Sequence, residues 1–221
     1  MNTYSIRAVA AATADAVTDR SVSEQTKETL MATHLRRLKG LVEADVLIAS
    51  QKPGSGRTAP RYLNKTEACI GAVFCILGDY GFDLPTFRHL RIGLMPRPNG
   101  VLEGRDENGA RFSRHYWGED PHAENATVCP EPNMDGVISA IQSGADWMYV
   151  IMLARDSGGN PVHRSFAAPT DFVDIEVKES VERWRAIHKH QGIVEIGHFR
   201  VNLSEILDRV LTSLHSEEGE V

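Results

Sequence analysis

Val46-Leu47-Ile48-Ala49-Ser50, then Pro53-Gly54-Ser55-Gly56, then Arg61-Tyr62-Leu63 form a β-type run, a turn and a second β-type run. Proline and glycine in the middle segment supply preset and left-handed backbone angles. The stretch therefore reads as a hairpin. Pro60 has no N–H to give to a ladder, which confines the returning strand to an edge position.

Helical patterns stand on both sides of the hairpin. Upstream, Tyr4-Ser5-Ile6 opens a short first helix on which Ile6, Val9, Ala10, Ala14 and Val17 recur at helical spacing. Ser21 with Glu24 matches a capping box, whose side chains satisfy free N–H groups at a helix start. The second helix runs from there to about Ala44. Met31, Leu35, Leu38 and Val42 share one of its faces. Thr26, Thr29, Thr33, Arg36 and Arg37 lie opposite, with His34 at the rim. Downstream, Asn64 with Glu67 caps a third helix whose apolar face is Ile70, Val73, Phe74 and Leu77. Gly81 fits the left-handed stop after it. Asp83 and Pro85 open a fourth helix, where a cap and a residue without an N–H both belong.

The charge is uneven. The chain has 221 residues and a net charge of −6, which argues at first against nucleic acid. Residues 1–91 hold 12 Lys and Arg against 9 Asp and Glu, a balance of +3, and the rest holds 12 against 21, a balance of −9. Arg36, Arg37, Lys39, Lys52, Arg57, Arg61 and Lys65 crowd into 31–65 against only Glu43 and Asp45. A basic segment inside an acidic chain says more than the total. Hydrophobic residues at 42% and charged residues at 24% exclude collagen-like and wholly disordered chains.

The order helix, helix, hairpin, helix, helix is that of a winged helix-turn-helix. Residues 4–91 resemble the MerR-like winged DNA-binding domains. The resemblance rests on Tyr4-Ser5-Ile6, the Thr33–Leu41 helix, and the glycine-tipped hairpin ending in Arg61-Tyr62-Leu63. It is clearest in Cys69–Leu90, with Gly81-Phe82-Asp83-Leu84-Pro85-Thr86-Phe87-Arg88-His89-Leu90 as the final helix pair. Two features depart from that family. Ala16–Ser23 is longer than the usual turn, and Pro96 and Pro98 stand where the family continues into a coiled-coil dimer helix. The resemblance implies the second helix in the major groove and the wing on the flanking backbone.

The residues suit those roles. Arg36 and Arg37 can make bidentate contacts to guanine, and Thr29 and Thr33 can reach phosphate, a base edge or a thymine methyl. His34 and Lys39 complete the expected helix surface. Lys52, Arg57, Arg61 and Tyr62 make up the wing, suited to the phosphate backbone and the minor groove. Surface arginine is common, so the same side chains also read as a solvated helix face. Tyr4 and Tyr62 read equally as half-buried packing residues.

Met95-Pro96-Arg97-Pro98-Asn99-Gly100 marks a boundary, since two prolines and a glycine cannot continue a helix. The expected division is a mainly α winged helix-turn-helix at 1–95, a linker at 96–100 and an α+β domain at 101–221. In that second part Val101–Gly104 pairs with Arg111–Tyr116, and residues 118–136 form a long surface loop that ends in a short helix at Val137–Ser143. Trp147–Ala154 is a buried strand that turns at Ser157-Gly158-Gly159-Asn160 back into Val162–Ala167. Phe172–Val177 reads as a half-exposed strand and Ser180–His190 as an amphipathic helix. Ile193–Val201 is a strand, and Asn202 with Glu205 caps a last helix with inner face Ile206, Val210 and Leu214.

Two chemical patterns in this part bear on function. Asp171, Asp174 and Glu176-Val177-Lys178 resemble the Asp…Glu-x-Lys arrangement of metal-dependent nucleases, in which carboxylates bind Mg²⁺. The same pattern is equally a strand with a charged outer face. His115, His122, Cys129, His188, His190 and His198 include no pair at zinc-site spacing, so no metal site is expected. No nucleophile elbow, Walker loop, Rossmann fingerprint or His-Glu-x-x-His sequence is present. The expectation is a non-enzymatic, cofactor-free, sequence-specific transcriptional regulator. Its partners would be double-stranded DNA, a second copy of the chain and an undefined small-molecule effector. A DNA-architectural accessory factor for site-specific recombination and a metal-dependent nuclease are the alternatives. The three cysteines are too few for a disulfide framework, and no signal or membrane-spanning pattern stands out. A cytoplasmic setting follows.

Overall fold

A computed structural model describes residues 3–18, 21–51, 60–94, 100–105, 109, 111–117, 127–129, 133–187 and 194–218. The chain is mixed α and β, and its described residues form three three-stranded antiparallel sheets. It divides into two units. Met1–Arg88 joins Glu205–Val221 in one, and His89–Ser204 forms the other. The sequence pattern places the last helix with the second domain, whereas the structure groups it from Glu205 onward with the first. Most of the expected linker lies outside the described residues.

The first unit begins with a strand that sequence periodicity does not show, β1 (Thr3–Ser5). Ser5 ends it and caps α1 (Ile6–Val17), its Oγ accepting the Ala8 N–H at 3.0 Å. Helix α2 (Glu24–Glu43) is capped by Ser23, not by Ser21: the Ser23 Oγ accepts the Thr26 N–H at 3.3 Å. β2 (Ala49–Gln51) and β3 (Arg61–Asn64) form the hairpin. The strand order is β1-β3-β2, so β3 is central rather than an edge, and Pro60 stands just outside it. Val46 and Leu47, expected to begin the first strand, are instead buried side chains of the turn that ends α2. The Val46 N–H donates to the Leu41 carbonyl at 2.9 Å.

Helix α3 (Lys65–Asp79) is the centre of this unit. The Asn64 side chain caps it as expected, accepting the Glu67 N–H at 2.8 Å. Burial is not limited to one face, since every residue from Glu67 to Leu77 is buried. A helix that is apolar all round must be surrounded. Gly71 makes this possible on one side, because a Cβ there would lie 2.7 Å from Leu38 of α2 and 3.2 Å from Leu47. The helix ends on Gly81 at φ +89°, with the Phe82 N–H returning to the Leu77 carbonyl and the Gly81 N–H to Gly78. These bonds close the C-terminal end of the helix. Asp83 then caps α4 (Leu84–Gly93), accepting from the Thr86 N–H at 3.1 Å. Phe87 of α4 stacks on Phe74 with ring centroids 4.9 Å apart. The last helix, α7 (Leu203–Glu218), buries Leu207, Val210, Leu211 and Leu214, and Ile206 is only half-buried. Arg209 of α7 donates to the Ala16 carbonyl at the end of α1 at 3.0 Å.

The second unit contains β4 (Gly100–Arg105), β5 (Arg111–Trp117) and β6 (Thr127–Cys129) in one sheet. The β4–β5 pairing matches the sequence reading, while β6 falls inside the segment expected to be a loop. Asn133 caps α5 (Met134–Gln142). The second sheet has β7 (Trp147–Arg155) between β8 (Pro161–Pro169) and β9 (Val194–Asn202). On one face of β7, Val150, Met152 and Ala154 pack with Phe166, Ala168 and Val173. On the chain's other alternation Tyr149 is buried and its hydroxyl donates to the Leu90 carbonyl at 2.7 Å. A central strand covered on both faces explains the unbroken apolar run.

The segment Phe172–Val177 is not a strand. Thr170–Phe172 is a 3-10 turn and α6 (Val173–Ile187) follows directly. Over six residues the alternation fits either period. The decisive pattern is longer: Val173, Val177 and Val181, four apart, pack against the sheet. Ile175, which a strand would bury with Val173 and Val177, is 54% exposed.

Two measurements check this packing. Gly81→Ala meets no atom within 4 Å, so its cost is backbone strain alone; a urea titration should show a loss of about 1–2 kcal/mol. Cys69 and Cys75 are fully buried, and burial pushes the Cys75 thiol well above its ordinary range. Both should resist a thiol reagent at mildly alkaline pH until the chain is unfolded.

Candidate nucleic-acid interface

The polar face of α2 is divided by one carboxylate. Asp79, at the end of α3, accepts from His34 Nε2 at 2.9 Å and from Arg37 Nη1 at 2.8 Å. Arg37 Nη1 also donates to the Cys75 carbonyl, and the guanidinium lies over Gly78, where a Cβ would collide with it. His34 is 0% exposed, and its carbonyl accepts from the Cys75 thiol at 3.7 Å. A carboxylate can only accept, so Nε2 carries the proton of that bond. The sequence pattern puts His34 and Arg37 on the outer surface with Arg36. The structure turns both toward α3, since the buried stripe of α2 runs through His34, Leu38, Leu41 and Val42.

Arg36 and Lys39, three apart, remain exposed on α2 together with Thr29. Thr33 is half-buried. Thr29 and Thr33 each donate to a carbonyl one turn back, Gln25 at 2.9 Å and Thr29 at 3.0 Å, so their oxygens keep only acceptor capacity toward a partner. Glu24, Glu28 and Glu43 are also exposed on this helix, so its positive charge is concentrated at Arg36 and Lys39.

At the hairpin, Arg61 and Tyr62 are half-buried. The Tyr62 carbonyl accepts from Ser50 Oγ at 3.3 Å. Val42 of α2 and Arg61 of β3 line one surface depression with Asp45, Leu47, Ile48 and Ala49. The C-terminal end of α2 and the hairpin base are therefore neighbours. Lys52 and Arg57 lie outside the described residues. Tyr4 is buried in β1 opposite Leu63, so it is a packing residue.

Three residues take parts in this region that the sequence pattern does not assign to them. Asp79 anchors α2. Arg88 donates to the Ala44 carbonyl at 3.0 Å, placing a cation at the negative end of α2. Glu67 is expected to help cap α3, and its carboxylate accepts from the Ile48 N–H at 2.9 Å. All three partners are far apart in sequence, beyond the reach of local spacing.

In the second unit, Asp174 sits on α6 and pairs with Arg200 at 2.6 Å, and Glu176 pairs with Arg183 at 3.4 Å. The strand required for the nuclease arrangement is absent from this segment. Among the described residues no three His, Cys, Asp or Glu side chains come together as a metal site. Burial raises the Tyr149 hydroxyl well above its ordinary range, consistent with a packing and capping role. Asp156 is held below the usual carboxylate range by hydrogen bonds from the Asn160 side chain and backbone and the Gly158 N–H, which fix the β7–β8 turn. No described helix is long and apolar enough to cross a membrane. No family model, curated protein or solved structure matches the chain.

Removing the anchor tests its part in packing. Asp79→Ala leaves the buried His34 N–H without its acceptor and Arg37 without its counter-charge, a loss of about 2–4 kcal/mol. Asp79→Asn retains an acceptor and should lose less. Equal unfolding midpoints for Asp79→Ala and the unmodified chain would contradict the anchoring role.

Proposed function

We propose that the first unit is a winged helix-turn-helix module that binds double-stranded DNA. Helix α2 contacts bases in the major groove and the β2–β3 hairpin lies on the backbone. The observation that carries the reading is the order β1-α1-α2-β2-β3-α3, with the hairpin base beside the C-terminal end of an α2 that exposes Arg36 and Lys39. An exposed arginine on such a helix suits guanine, and a lysine one turn on suits a phosphate. The MerR-like resemblance of residues 4–91 points the same way.

The resulting task is sequence-specific transcriptional regulation in the cytoplasm, without catalysis. One module offers few base contacts, so a homodimer reading two half-sites fits the economy of such proteins. The second unit would then serve self-association, partner contact or effector sensing.

Binding of genomic fragments across a salt titration tests the reading. Affinity should fall steeply with salt, with a slope of about 0.9 per phosphate neutralised. Arg36→Ala with Lys39→Ala should weaken binding by about tenfold or more. Arg37→Ala should act mainly on unfolding. Binding unchanged in the Arg36/Lys39 variant would overturn the assignment of α2. Sequencing the bound fragments distinguishes promoters, expected for a regulator, from attachment-site repeats, expected for a recombination accessory factor.

A further inference from the structure

Glu67 is an acidic residue in the interior of the first unit, 5% exposed, in the first turn of α3. Burying a carboxylate is costly unless strong hydrogen bonds replace its water. Here Oε2 accepts from the Ile48 N–H at 2.9 Å. Ile48 is the residue before β2, and its side chain is 69% exposed. The backbone at the start of the hairpin is therefore held from inside the protein while its side chain faces solvent.

The other strand of the hairpin is tied at the same place. Asn64 ends β3, and its side chain accepts the Glu67 N–H at 2.8 Å. One turn of α3 thus grips both strands at their base: Glu67 through its carboxylate to Ile48, and Glu67 through its N–H to Asn64. Below this point Leu47 and Leu63 converge on Gly71, at 3.2 and 3.9 Å from where its Cβ would be. A two-stranded hairpin has little stability of its own, and its direction depends on what holds its base.

We infer that Glu67 is a positioning residue for nucleic-acid binding. It clamps the base of the β2–β3 hairpin to α3, so that the wing is presented to the DNA backbone in a fixed direction. The inference rests on the DNA-binding reading above and names the residue that aims the wing. Glu67 itself does not touch the nucleic acid. Its carboxylate is buried, and a carboxylate at the surface would repel phosphate.

The test uses the full chain with Glu67→Ala and Glu67→Gln, read in two ways. The first is backbone amide exchange. Exchange at Ile48 should accelerate by about tenfold or more in Glu67→Ala, while Val73 and Phe74 in the middle of α3 stay protected. Glu67→Gln keeps an acceptor oxygen and should fall between, which keeps the test decisive if the alanine variant does not fold. The second is the salt dependence of DNA binding. A loosened wing neutralises fewer phosphates, so the slope should become shallower by about one for each phosphate the wing no longer reaches. A purely structural defect would lower the active fraction and leave the slope unchanged. Unchanged exchange at Ile48 in both variants would overturn the clamp. Faster exchange with an unchanged slope would overturn its part in DNA binding. Absence of DNA binding by the unmodified chain would instead overturn the DNA reading, with the clamp still decided by exchange.

Discussion

The Asp79 carboxylate holds α2 in place, and the face that α2 presents to solvent depends on it. It accepts from His34 and Arg37, one turn apart on α2, and so fixes the rotation of that helix about its axis. Rotation decides which side chains are outside. With His34 and Arg37 drawn in, Thr29, Arg36 and Lys39 stay on the exposed side. Leu38 and Leu41 bury beneath the same stripe, and Gly71 allows Leu38 to approach α3 closely. Polar anchoring and apolar packing thus select the same rotation.

Helix α3 is the reference body for both candidate contact elements. Its last residue anchors α2 through Asp79, and its first turn holds the hairpin through Glu67 and Asn64. The middle is buried all round and closes on Phe87 and on the small-residue approach at Gly71. A helix with no solvent face has little freedom to shift without opening a cavity. On the proposed DNA-binding reading, that rigidity suits a scaffold whose two contact elements must keep a fixed spacing to fit a groove and its flanking backbone.

What the sequence made legible follows from how local each signal is. Asn64 and Asp83 as caps, Gly81 as a left-handed stop and the hairpin around Pro53–Gly56 all depend on neighbours a few residues away. The caps and the stop are where the sequence puts them. The inward turn of His34 and Arg37 depends on Asp79, distant in sequence, and on a buried stripe rotated from Met31–Leu35–Leu38–Val42 toward His34–Leu38–Leu41. An arginine and a histidine look like surface residues until a buried partner is found. Ser23 rather than Ser21 as the cap, and α6 rather than a strand at Phe172–Val177, are failures of short windows in which two readings fit equally. β1 and β6 have three residues each, too short for periodicity to register. The return of α7 to the first unit is a matter of tertiary packing that no linker signal could convey.

On the proposed reading, the outer face of α2 and the hairpin base together form a DNA-binding surface. Backbone amide shift mapping on the full chain, titrated with a duplex recovered by genomic selection, tests it most directly. Perturbations are expected at Thr29, Arg36 and Lys39 and at Arg61 and Tyr62, with Val73 and Phe74 in the interior of α3 unmoved. Perturbations confined to residues 89–204, or none at saturating duplex, would contradict it.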